Sequence, residues 1–189
     1  MTRLRPFMAL PLALALILPL LPLPSLADPV PVGDDGLHKP DWLRNSWKIL
    51  AEDHQEAAEA GRHLLLIVEQ RGCIYCARLH NEVLTDPRLD RLIRDDFDVL
   101  QIDLFGATEL TDTDGEVLSE KRAAAKWGVP LTPTLILLPA TLPPDTDAAR
   151  AAMAVIPGVL DADDTLEVLE WAAAGGAQTG RDIRDVLSR

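Results

Sequence analysis

The sequence predicts an α/β fold in which a central mixed sheet of about four to five strands is flanked by helices. Three observations predict it. Residues 64–68, Leu-Leu-Leu-Ile-Val, are unbroken apolar residues, the pattern of a strand buried on both faces beneath covering helices. Helical and strand-like segments alternate along the chain, so the early strands need crossovers and must run parallel, while the last two can pair as a hairpin. Gly61, Gly128 and Gly175-Gly176 stand where helical spacing stops.

Taken in order, the chain opens with Arg3 and Arg5, an apolar run over 7–23 broken by prolines, and Ser25-Leu26-Ala27 as a small-x-small cleavage site. Residues 1–27 therefore read as a cleaved secretory signal, in preference to an uncleaved anchor. No cysteine lies near the site, which disfavours a lipid anchor, and no adjacent arginine pair marks a twin-arginine signal. Residues 28–40, rich in proline, glycine and charge, read as a flexible leader. The body of the domain is expected over 41–174 and a loosely held tail over 175–189.

Within the domain, residues 41–60 read as a helix whose buried face carries Trp47, Leu50, Ala51, His54 and Ala58. A strand is expected over 62–69 and a helix over 73–84. Asp86-Pro87 then supplies an N-cap and a first-turn proline for a short helix to about residue 94. A strand over 97–104 leads into a polar, turn-rich stretch, 106–116. Ser119 caps a helix over 120–127, and residues 135–138 form the next strand. Residues 139–149 read as a loop and 152–156 as an edge strand, and a last helix, capped by Asp163 or Asp164, runs to about 174.

Cleavage after Ala27 leaves about 160 residues, enough for one domain with its own core. The net charge of −12 disfavours nucleic acid and anionic membrane surfaces as partners. The chain has two cysteines, Cys73 and Cys76. A bridge across two residues closes almost no loop and constrains the unfolded chain very little, so a purely structural disulfide is a weak reading. The pair sits where a strand hands over to a helix, which is a redox arrangement. At the helix start, unpaired N–H groups and the helix dipole stabilise a thiolate on Cys73, and Cys76 lies one turn on, within reach of a small disulfide ring.

Four features together resemble the periplasmic thioredoxin-like family, and most of all its sulfur-oxidation-associated SoxW/SoxS type. Gly72-Cys73-Ile74-Tyr75-Cys76 follows a strand. Arg78-Leu79-His80 and Val83-Leu84 continue the helix before Asp86-Pro87 opens a second one. Thr132-Pro133-Thr134 heads a strand, where the family keeps a cis-proline loop. Val155-Ile156-Pro157-Gly158 precedes a capped helix. The resemblance covers about residues 42–174 and implies a thioredoxin-like fold. It implies that Cys73 is the nucleophile, that Cys76 resolves the mixed disulfide, and that Thr132 and Pro133 face the cysteines and pair with an extended substrate. Tyr75 is expected to flank the exposed sulfur as a contact surface.

The chain also departs from the family. Ile74 stands where many relatives have proline, and Ile67 where cytosolic thioredoxins carry a buried acid. Glu69, two positions on, is a candidate substitute proton acceptor; the alternative is a strand-end carboxylate facing water. His80, at i+4 from Cys76, either shares its helical face and favours a thiolate or is a surface residue without a redox role. The resemblance implies an exported thiol–disulfide oxidoreductase, working as a reductase on periplasmic disulfide-containing proteins and recharged by a membrane thiol carrier. No bound cofactor is expected, because the Cys73–Cys76 disulfide carries the electrons, and a monomer is expected. The alternatives are a disulfide oxidase or isomerase, a metal site built from Cys73, Cys76 and His80, and a redox-inert binding module. Haem attachment is excluded, since residue 77 is alanine where C-x-x-C-H needs histidine.

Overall fold

The computed structural model describes residues 29–188, so the expected signal segment lies outside the described residues. In chain order the elements are α1 (Leu50–Glu59), β1 (His63–Glu69), α2 (Ile74–Arg78), a π turn (Leu79–Val83), α3 (Pro87–Asp96), β2 (Phe97–Asp103), β3 (Glu109–Thr111) and β4 (Val117–Ser119). They continue with α4 (Glu120–Lys126), β5 (Thr134–Leu137), α5 (Ala148–Ala151), β6 (Ala154–Pro157), α6 (Ala162–Ala173), a 3-10 turn (Gly176–Thr179) and α7 (Ile183–Val186).

The apolar run does form the central strand. The main sheet has the order β2-β1-β5-β6, with β1 parallel to β2 and antiparallel to β5, and β5 antiparallel to β6. Side chains on β1 alternate between two cores. Leu65 and Ile67 join Leu79, Leu89, Ile93, Phe97, Leu135 and Trp171 on one face. Leu64, Leu66 and Val68 join Leu50, Ile102, Ala123, Trp127 and Ile136 on the other. This is the mixed four-stranded sheet flanked by helices that the pattern predicts.

The first helix is shorter than its sequence pattern suggests. It begins at Leu50, and the residues ahead of it are committed to the sheets: Leu43 bridges Val99 at the outer edge of β2, and the Arg44 N–H donates to the Val99 carbonyl at 2.9 Å. Lys48 has φ 59, and its carbonyl accepts from the Thr111 N–H on β3. Backbone groups spent on strand pairing are lost to a helix, so Trp47 stands 92% exposed instead of lining the buried face. That face is Leu50, Asp53, His54 and Ala57.

Other joints differ by a few residues or by one small element. The helix after Cys73 widens into the π turn, where the Leu84 N–H reaches back to the Leu79 carbonyl. The turn-rich stretch after β2 holds β3 and the turn that leads into β4, and α5 begins at the end of the later proline-rich loop. Asp161, not Asp163 or Asp164, caps α6 by accepting from the Asp164 N–H at 2.9 Å. In the tail, Val186 is buried and Trp171 Nε1 donates to the Arg181 carbonyl, so α7 is docked on α6. Ser119 and Asp86 cap as expected, each accepting from a backbone N–H of the turn it starts. Among the described residues no helix is long and apolar enough to cross a membrane.

Candidate redox site

Gly72, at φ 71, turns the chain off the end of β1 and sets Cys73 at the N-cap of α2. A side chain would resist that left-handed turn. Cys73 and Cys76 are joined in a disulfide with Cα atoms 5.2 Å apart, and Cys73 Sγ also accepts from the Cys76 N–H at 3.0 Å. The two sulfurs differ in access. Cys73 is part-exposed, whereas Cys76 is 1% exposed.

The second wall comes from the head of β5. Thr134 pairs with Val68 near the end of β1, which carries the preceding loop to the same end of the sheet as Cys73. The Thr132–Pro133 peptide is cis. The Thr132 hydroxyl donates to Cys73 Sγ at 3.3 Å, and the Thr132 carbonyl oxygen lies 3.5 Å from the same sulfur. A depression of about 410 Å³ opens between the two walls, bordered by Gly72, Cys73, Tyr75, Leu104, Leu131 and Thr132. Ile74, Tyr75, Phe105 and Leu131 are exposed apolar residues. The structure thus brings Cys73, Cys76, Thr132, Pro133 and Tyr75 to one end of the sheet.

At the end of β1, just ahead of the cysteines in the chain, stands a polar cluster that was only half visible in the sequence. Glu69 is 0% exposed, which rules out the water-facing alternative. By strand alternation it points to the same face as Leu65 and Ile67, so it serves the face on which the missing acid would stand. His80, read as a surface residue in one alternative, is also buried, and its Nε2 lies 2.8 Å from Glu69 Oε1. Gln101 of β2 donates through Nε2 both to Glu69 Oε2 and to the His38 carbonyl, the latter at 2.8 Å. Lys39 Nζ donates to Gln101 Oε1. The His38 and Trp42 rings lie nearly parallel to the His80 ring, with centroids at 4.9 and 6.1 Å. Burial holds the His38 imidazole below its ordinary value, the neighbouring His80 adds to that, and Glu69 opposes it.

Sequence reasoning missed His38, Lys39 and Gln101. The first two lie in a stretch without periodicity, and Gln101 is a neutral residue inside an apolar strand. The metal set Cys73, Cys76 and His80 is not assembled, because the sulfurs bond each other and His80 Nε2 addresses Glu69. His38, Glu69 and His80 do place donor atoms within 4.8 Å of one another. The Glu69 oxygens are turned to His80 and Gln101, the arrangement of a hydrogen-bond network.

Comparison with known proteins agrees with this geometry. Among solved structures, a thioredoxin-fold protein from Helicobacter pylori superimposes with a TM-score of 0.58 at 21% identity, covering 78% of this chain and 86% of that one. A thioredoxin from Thermus thermophilus gives 0.53 at 23% identity, covering 74% and 93%. At these identities the likeness speaks for the fold alone. No curated protein matches the sequence. A family model described as a thioredoxin-like domain matches residues 50–173, which takes in β1, both cysteines, the Thr132–Pro133 loop and α6. The chain belongs to the thioredoxin-like domain family.

Proposed function

We propose that the protein is an exported thiol–disulfide oxidoreductase that reduces disulfides of periplasmic proteins through the Cys73/Cys76 dithiol. The observation that carries this reading is the asymmetry of the pair, a part-exposed Cys73 beneath Thr132 and a Cys76 sealed at 1% exposure. The Cys73 thiolate, favoured at the start of α2, attacks one sulfur of a substrate disulfide. That bond breaks, a mixed disulfide forms, and the first substrate thiolate leaves and takes a proton. Cys76 then gives its proton to Glu69 and attacks Cys73 Sγ, which closes the internal disulfide and releases the second substrate thiolate. Two electrons pass from the dithiol to the substrate, so no bound cofactor is required.

Thr132 and Pro133 hold the extended substrate backbone, and Tyr75 packs beside it. A membrane thiol carrier recharges the dithiol, because the periplasm is kept oxidising. The sequence resemblance to sulfur-oxidation proteins names the first substrate class to look for.

The test is a trap. Cys76→Ser nearly preserves the volume but removes the resolving nucleophile, which acts in the wild type at high effective concentration. Expressed in the periplasm, it accumulates reducible adducts through Cys73, and mass spectrometry identifies the partner. Adducts formed by Cys73→Ser and not by Cys76→Ser would reverse the assignment, and their absence from both variants would refute the function.

A further inference from the structure

We propose that residues 37–43 form a positioning arm of the redox centre: His38, Lys39 and Trp42 hold the Glu69–His80 pair in the geometry in which Glu69 takes the Cys76 proton. The inference rests on the reading of Glu69 as that acceptor and adds what makes it competent.

Glu69 closes β1, and Cys76 points inward from α2 at 1% exposure. His80 lies one turn beyond Cys76 on the continuing helix and touches Glu69. Through His80 the carboxylate is tied to the helix that carries the resolving thiol, one turn beyond Cys76. A carboxylate with 0% exposure is costly to keep unless its oxygens are satisfied. Its partners are His80 on Oε1 and Gln101 on Oε2.

What orients Gln101 is the arm. A glutamine amide has a donor end and an acceptor end, and a half-turn exchanges them. Here Lys39 Nζ donates to Oε1 while the His38 carbonyl accepts from Nε2, so the amide is read at both ends by two consecutive residues. With the amide reversed, Oε1 would face the Glu69 oxygen, acceptor against acceptor, and Nε2 would face the Lys39 ammonium, donor against donor. Lys39 is itself held by Asp35 at 2.6 Å. On the other side of the carboxylate, the His38 and Trp42 rings lie along His80 and restrict its imidazole. The arm is fastened to the sheet by the Leu43–Val99 bridge, and Leu37 is buried at 4% exposure.

The ionisable groups around Glu69 are thus His80 and Cys76 from the helix, His38 and Lys39 from the arm, and Asp35 just ahead of the arm, paired with Lys39. β2 adds Asp103, its register partner, whose Oδ1 accepts from the Phe105 N–H. Lys39 is the cation that fixes the amide, and it lies outside the face that meets substrate. Its loss should leave attack by Cys73 alone and impair resolution by Cys76.

Reduced full-length protein mixed with 5,5′-dithiobis(2-nitrobenzoate) separates the two steps. Attack by Cys73 releases a first equivalent of thionitrobenzoate, and resolution by Cys76 releases a second. In Lys39→Met the second release should slow about tenfold below neutral pH and reach half-maximum at a higher pH, with the first release unchanged. Lys39→Arg, which keeps the donor and the charge, should restore both. His38→Gln is the second variant: it keeps the backbone carbonyl on Gln101 and loses the ring along His80, and it should also slow the second release selectively. A wild-type second release and pH profile in both Lys39→Met and His38→Gln, with Glu69→Gln impaired, would overturn the arm and leave Glu69 as acceptor. A wild-type second release in Glu69→Gln would overturn the acceptor reading itself. Equal slowing of both releases in Lys39→Met would reduce the arm to a folding role and overturn the proposal.

Discussion

At the scale of single residues, the two cysteines share a bond and differ in everything else. Cys73 has the N-cap position, the Thr132 hydroxyl and open space beside Tyr75, while Cys76, within α2, is turned inward and buried. Thiolate character and access both decide reactivity, and both favour Cys73. In the reduced native protein, iodoacetamide should modify Cys73 at least about tenfold faster than Cys76, and peptide mass spectrometry reads the ratio directly. Faster loss of Cys76 would exchange the roles of nucleophile and resolver. Most of this much was legible in the sequence, because cysteine spacing, a preceding strand and a Thr-Pro-Thr are all local patterns. The burial of Glu69 and His80 was not. It depends on what covers them, and the cover comes from His38 and Lys39, in a stretch whose prolines and charges read as a leader, and from Trp42, in a stretch that read as the first helix.

At the scale of elements, strongly periodic segments appear where expected, and the misreadings fall where tertiary pairing overrules local pattern. Residues 41–49 have helical spacing yet serve two sheet edges, through Leu43 on β2 and Ile49 on β3. The three-residue strands β3 and β4 are too short to show alternation. They are held in place by Asp112, which follows β3 and is 0% exposed. Its carboxylate accepts from Trp127 Nε1 at 2.9 Å and from the Ala148 N–H at 3.0 Å, and it meets Lys126 at 2.9 Å. One side chain thereby ties the hairpin to the end of α4 and the start of α5. Asp112→Ala leaves a buried indole N–H and a backbone N–H without their shared acceptor, while Lys126 keeps Asp114 and Glu116. Urea denaturation should show a loss of about 3–5 kcal/mol, with the m-value retained. A loss below about 1 kcal/mol would mean that water replaces the carboxylate at no cost.

At the scale of the whole molecule, the fold supplies a rigid sheet end at which a strand, a helix start and a loop converge on one sulfur. The direction in which such a centre moves electrons is a property of the balance between its two redox forms, and the reductase reading makes a definite claim about it. Equilibrated with glutathione, the Cys73–Cys76 couple should have a potential nearer the ~−270 mV of thioredoxin than the ~−120 mV of a strong oxidant. A value at the oxidant end would favour the oxidase or isomerase alternative and remove the need for a membrane thiol carrier.

The sheet has two borders, and the chain treats them differently. Along β2 the outer side is partly roofed by Leu43 and Arg44, while β6 ends the sheet with four residues, of which Pro157 offers no N–H. Both devices shorten the row of unpaired peptide groups on which foreign strands add and polymers grow. On the proposed function, an extended client finds its main-chain partners at the Thr132 loop instead. On the same proposal, a client that lines up there brings its own cystine to Cys73, so protection against fibril growth and admission of a client would follow from the same economy of open edges.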